Sequence, residues 1–240
     1  MAVPACPRPR SHGNRGRLRD RAVRAQLGAM DIARAVPAFF AAADCAGEVL
    51  SDSAVGAAWS EPSALARMTV GDLAGHVFLV VRRVDKHLDE QTRPSGPGRR
   101  GMTFPRVDGP DDLDREVHAQ VRRDSHHVAS WGWLDVREAY EARVAKLRLR
   151  LPQDAPPKVL LGDHAVEFGD YLASRVIELL VHMDDLSVST RVSPRSPPAD
   201  VMDAALGYLL DAARRVYADQ TVLRSFTRRE RVPDGAPSIY

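Results

Sequence analysis

The chain has 240 residues, 44% hydrophobic and 28% charged, with a formal net charge of +2. That is enough apolar material for one domain with a real core, and no window approaches the roughly 18 uninterrupted apolar residues of a membrane helix. Two cysteines, Cys6 and Cys45, are too few and too far apart for a disulfide framework or a Cys-based zinc site.

The positive charge is concentrated at the start: residues 1–29 hold seven Arg against one acid, Asp20. They lack interleaved aromatics and an apolar signal core, so a disordered basic extension is expected there and the chain reads as cytoplasmic and free of membrane spans. The mildly acidic remainder argues against nucleic-acid binding by the body of the protein. With only Lys86, Lys146 and Lys158 as lysines, the basic side chains are almost all Arg, which suits a GC-rich bacterial genome.

Apolar residues Ile32, Val36, Phe39, Phe40 and Val49 recur at helical spacing over 31–50, with Pro37 tolerable if the helix starts or bends near it. Residues 51–68 are irregular or briefly helical and include Trp59 and a Glu61-Pro62-Ser63 turn. Thr69 stands three before Asp72, a capping-box spacing that opens a helix over about 70–90, with a buried stripe of Leu73, Val77, Val80, Val81, Val84 and Leu88. His76 lies at the edge of that stripe, where it is either a boundary histidine bonded to backbone or a ligand reaching into the bundle; His87 suits the helix C-terminal dipole.

Residues 91–110 are rich in Pro and Gly and predict a long loop. Asp111 or Asp112 is expected to cap a helix through Leu113, Val117, Val121 and Val128 to Trp131, with His126 and His127 on its surface. Another helix is predicted from about Asp135 through Val136, Tyr140, Val144 and Leu147 to a stop at Pro152. Residues 159–161 and 165–168 read as a hairpin around Gly162-Asp163.

Over 171–186 the helical period places Leu172, Val176, Leu179, Leu180, Met183 and Leu186 on one face. A second stripe, Tyr171, Arg175, Glu178, His182 and Asp185, steps by four, three, four and three. It fits two readings: a salt-bridge ladder, or two metal ligands one turn apart with supporting charges. A final helix is predicted over 199–217, with Val201, Ala205, Leu206, Leu209, Leu210, Ala213, Val216 and Tyr217 as its stripe. The sum is an all-α bundle of four main helices with extra short helices and one small β-hairpin, occupying 30–230 and followed by a polar tail over 231–240.

In order, W-x-x-P-S (Trp59, Pro62, Ser63), T-V-x-D-L-x-x-H (Thr69 to His76), a hairpin, and R-x-x-E-x-x-x-H-x-x-D-L (Arg175 to Leu186) resemble the metal-binding domain of mycothiol-dependent maleylpyruvate isomerase, within the wider DinB-like group of metalloenzymes. The resemblance implies that His76, Glu178 and His182 ligate a divalent metal, most simply zinc, and that Arg175 and Asp185 are catalytic-site residues supporting the ligands or meeting substrate. It further implies a thiol-dependent transferase or isomerase that brings mycothiol or a related thiol to a small electrophile. The alternatives are a metal-stabilised binding or regulatory module without turnover, and a purely structural bundle. The isomerase's additional C-terminal region has little room here, with 23 residues after Tyr217, so maleylpyruvate does not follow as substrate.

Overall fold

In the computed structural model, residues 30–89, 116–161, 164–193, 195–228 and 231–232 are described. Helix α1 (Ile32–Leu50) begins at an Asp31 cap whose carboxylate accepts from the Ala33 amide, and passes through Pro37 in its second turn without ending. A short α2 (Ser53–Ala57) follows, capped by Asp52. Helix α3 (Val70–Asp89) opens with the predicted reciprocal cap: the Thr69 amide donates to Asp72 Oδ2 at 2.9 Å and the Asp72 amide to Thr69 Oγ1 at 3.1 Å. Helices α4 (Glu116–Ala129) and α5 (Trp133–Asp154) come next, then strands β1 (Lys158–Leu161) and β2 (His164–Glu167). Helix α6 (Phe168–Thr190), α7 (Ala199–Val216) and α8 (Asp219–Thr227) complete the chain.

The four main helices α1, α3, α5 and α6 enclose the core. Helix α6 packs along α1 and α3, and α4 lies on the outer side of α3. Phe39, Leu50, Leu73, Leu147, Leu151, Leu172, Ile177, Leu179 and Leu186 are all essentially without solvent exposure. The hairpin is antiparallel, pairing Val159 with Val166, and both valines turn into the core, which is how so small a sheet gains support. Its Gly162-Asp163 turn, the 91–110 loop and the Asp111 or Asp112 cap lie outside the described residues.

Two close approaches fix α3, and a hydrogen bond fixes the turn before it. Trp59 lies flat against Gly71, where a Cβ would come within 2.7 Å of the indole, and its Nε1 donates to the Ala129 carbonyl at 3.2 Å. Gly75 lets α4 pass so near that a Cβ would meet the Ser125 carbonyl oxygen at 2.5 Å. The turn containing Pro62 and Ser63 is tied to the far end of α6 by the Ala64 amide, which donates to Ser189 Oγ at 2.8 Å. The W-x-x-P-S segment is thus a brace joining α3, α4 and α6.

Several expectations need correction. Pro152 does not stop α5: it occupies the last turn, where it costs one backbone hydrogen bond, and the helix runs on to Asp154. Phe168 is the first residue of α6, not the end of a strand, because its ring is already committed to the core. In α4 only Ser125, Val128 and Ala129 are buried, and Val117 is half exposed. Helix α7 is not the last one, since α8 follows and docks through Val222. On α7, Leu206 and Leu210 face solvent while Tyr208 and Ala212 are buried, because the bundle covers a face rotated from the apolar stripe. Tyr208 earns that place through its hydroxyl, which donates to the Asp170 carbonyl at 3.2 Å.

Candidate metal centre

Helices α3 and α6 face one another through a polar seam. Its residues are His76 and His87 from α3, and Tyr171, Arg175, Glu178 and His182 from α6. Both helices are buried on nearly every side, so this seam is inside the bundle and not on its surface. The α6 stripe does carry the pairs of a ladder, Arg175–Glu178 and His182–Asp185, but on a largely buried face and not a solvated one.

His76, Glu178 and His182 converge, each offering one donor atom, and the three atoms lie within 4.8 Å of one another. His76 Nε2 is 4.0 Å from Glu178 Oε2, and the two imidazoles meet edge to face with centroids 4.6 Å apart. Both histidines are buried and Glu178 is half-buried. A tetrahedral zinc with bonds of 2.0–2.1 Å has edges of about 3.3 Å, so small side-chain rotations separate the present spacing from a ligating one.

Two of the three donors have their own support. His182 Nδ1 is 3.0 Å from Asp185 Oδ2, which fixes the ring and leaves Nε2 for the seam. Arg175 grips Glu178 with both arms of its guanidinium, NH1 to Oε2 at 3.1 Å and NH2 to Oε1 at 2.7 Å. Arg175 is itself held by Ser174 Oγ at 3.2 Å and lies over the Tyr171 ring. His76 differs: its Nδ1 is buried with no hydrogen-bond partner among the described residues. Burial drives its pKa well below the ordinary histidine value, helped by the neighbouring His182 and by the charges of Arg83 and Arg175. A neutral imidazole beside a second imidazole and a carboxylate is a donor set suited to a divalent transition metal.

The five residues singled out in the sequence therefore meet in one place, with Arg175 and Asp185 touching the donors directly. Among the other histidines, His87 does more than sit at a helix end, since it packs edge-on against Tyr171 at 4.9 Å. His126 is mostly exposed yet contacts Asp72 Oδ1 at 3.0 Å, and His127 lies near Trp131 on the surface. Arg83 was missed in the sequence. Its position seven residues after His76, two turns along the same face, was the available signal.

Fold and seam together define a helical-bundle protein with a buried His-Glu-His cluster carried by two facing helices. The sequence model of the mycothiol maleylpyruvate isomerase N-terminal domain family matches residues 40–187, and the chain belongs to that family. The match includes all three cluster residues and ends in the last turn of α6, before α7 and α8. No curated protein and no solved structure matches the chain. Among the described residues, no helix is long and apolar enough to cross a membrane.

Proposed function

We propose that the protein is a divalent-metal-dependent enzyme that uses a low-molecular-weight thiol of the mycothiol type on a small electrophile, as a transferase or isomerase. The observation that carries the reading is the convergence of two buried imidazoles and a carboxylate within the stretch matched by a family whose name couples mycothiol to an isomerase. A bound zinc ion would supply the Lewis acidity that lowers the pKa of a thiol and favours its thiolate at neutral pH. Three protein donors leave room for such an exogenous group, the arrangement of catalytic rather than structural zinc sites.

The chain's own residues divide the remaining work. Burial keeps His76 neutral and ready to donate its lone pair. Asp185 orients His182, while Arg175 holds the Glu178 carboxylate in the seam against rotation. Both are positioning residues in this reading, because each reaches the reaction through a donor. The low polarity of the surrounding bundle excludes water and strengthens the interactions of whatever charge develops there.

The test begins with elemental analysis of the purified full-length chain, where near-stoichiometric zinc or another divalent metal is expected and His182→Ala is expected to lose it. Metal-loaded protein is then incubated with mycothiol and a panel of small electrophiles, and metal-dependent thiol consumption is followed. Stoichiometric metal without thiol consumption would replace the enzyme by a metal-stabilised binding module. Absence of metal in the wild-type protein, together with unchanged behaviour of His182→Ala, would remove the site altogether.

A further inference from the structure

A cavity of about 460 Å³ is lined by residues of α3, α4 and α5. That volume falls within the range of small-molecule sites, roughly 300–1,000 Å³. Its wall carries Arg82, Arg83 and Lys86 from α3 and Arg143 from α5. Three acids also line it, and two of them are already neutralised. Asp85 is fully buried and contacts Arg143, Lys146 at 2.8 Å and Arg150 at 2.8 Å, and Arg150 also takes Asp89 at 2.7 Å. The third, Asp124, accepts from the Gln120 amide at 2.6 Å.

Arg82 and Arg83 are different. Neither has a hydrogen-bond or ion-pair partner among the described residues, and Arg83 is half-buried. A guanidinium partly withdrawn from water without a counter-charge carries a desolvation cost that a bound anion would offset. Its planar fork matches the two oxygens of a carboxylate or phosphate. We propose that this cavity binds a small, multiply charged anion bearing carboxylate or phosphate groups, gripped by Arg82 and Arg83 with Arg143 and Lys86 supplying further positive potential. Arg83 stands two turns along α3 from His76, a rise of about 10 Å, so the anion would lie beside the His76 seam without belonging to it. The proposal does not depend on the metal reading.

Calorimetric titration of the full-length protein at constant ionic strength tests it, with succinate and inorganic phosphate as separate probes and chloride as the control. Saturable single-site binding of at least one probe is expected; whichever binds tighter identifies the oxygen chemistry the cavity prefers. Arg83→Gln and Arg82→Gln are each expected to weaken binding about tenfold or more, and Arg83→Lys to recover part of the loss. Both positions are at least partly exposed, and circular dichroism of each variant will verify the fold. His182→Ala is expected to bind the probe like wild type. Absence of saturable binding for both probes at millimolar concentration would overturn the proposal. So would unchanged affinity in both Gln variants, or loss of binding in His182→Ala, which would place the anion in the seam instead.

Discussion

Asp185→Asn isolates the support of one donor. In the wild type Asp185 Oδ2 lies 3.0 Å from His182 Nδ1, one turn along the same helix, and the two side chains are 23% and 10% exposed. Without metal the pair is a short-range, partly hydrated contact, so its loss is expected to cost less than about 1 kcal/mol of folding stability. With metal the effect is larger. Asn either accepts the Nδ1 proton with a neutral oxygen or turns its NH2 towards the ring and favours the wrong tautomer. Outer-sphere changes of this kind cost about 10- to 100-fold in metal affinity, or about 1.4–2.7 kcal/mol. The assay is competition for zinc against a chromophoric chelator at neutral pH. Asp184→Asn is the control, since it removes the same charge from an exposed neighbour. Equal zinc affinity in wild type, Asp185→Asn and Asp184→Asn would refute the argument that His182 is a ligand oriented by Asp185.

Three further outcomes are expected. Thr69→Ala removes the hydroxyl that caps Asp72 N–H, and is expected to lower stability by about 1 kcal/mol in urea unfolding. Gly75→Ala drives a methyl group into the α4 backbone at Ser125, and is expected to cost about 1–3 kcal/mol and to weaken metal binding by shifting the neighbouring His76, read by thermal melting and the same zinc competition. Burial pushes the Asp85 carboxyl up, but hydrogen bonds from Lys146 and Arg143 more than offset it and its pKa is lowered. Its ionised form therefore contributes stability above the unfolded value of about 3.9 that is lost as pH falls through the lower folded value. Asp85→Asn is expected to destabilise the protein by about 2 kcal/mol at neutral pH, below the full value for a buried pair because its cations are partly hydrated, and to flatten the acid limb of the stability profile.

Much of the bundle was legible because the signals were local. The Thr69–Asp72 cap, the α3 stripe and the apolar face of α6 each depend on residues within a few turns of one another. Glu178, His182, Arg175 and Asp185 were legible for the same reason, their spacing alone placing them on one helical face. What the spacing could not reveal was that this face is buried, since that depends on α3 lying across it. The errors have equally specific causes. Pro152 misled because a proline is tolerated at the cost of one bond in a last turn. Leu206 and Leu210 misled because an apolar stripe does not say which part of it a neighbour covers. Helix α8 is nine residues long and buries only Val222, too short an apolar pattern to stand out from the polar tail around it. Arg82 gave no signal and Arg83 only its spacing from His76, as an arginine pair on a helix is ordinarily solvated; only the cavity beside them makes their lack of acid partners among the described residues informative.

The division of the three donors between two helices has a thermodynamic consequence. Glu178 and His182 stay paired in any state in which α6 remains helical, so a partly unfolded chain would keep a weak two-donor site. His76 joins them only when α3 is docked on α6, while the Trp59 brace and the close approaches at Gly71 and Gly75 hold α3 to α4. An ion held by all three would therefore discriminate between docked and undocked helices, and at 100 times its Kd would stabilise the docked form by about 2.7 kcal/mol if the undocked form does not bind it. Zinc affinity would then serve as a gauge of tertiary order, rising and falling with substitutions far from the donors that loosen α3 from α6.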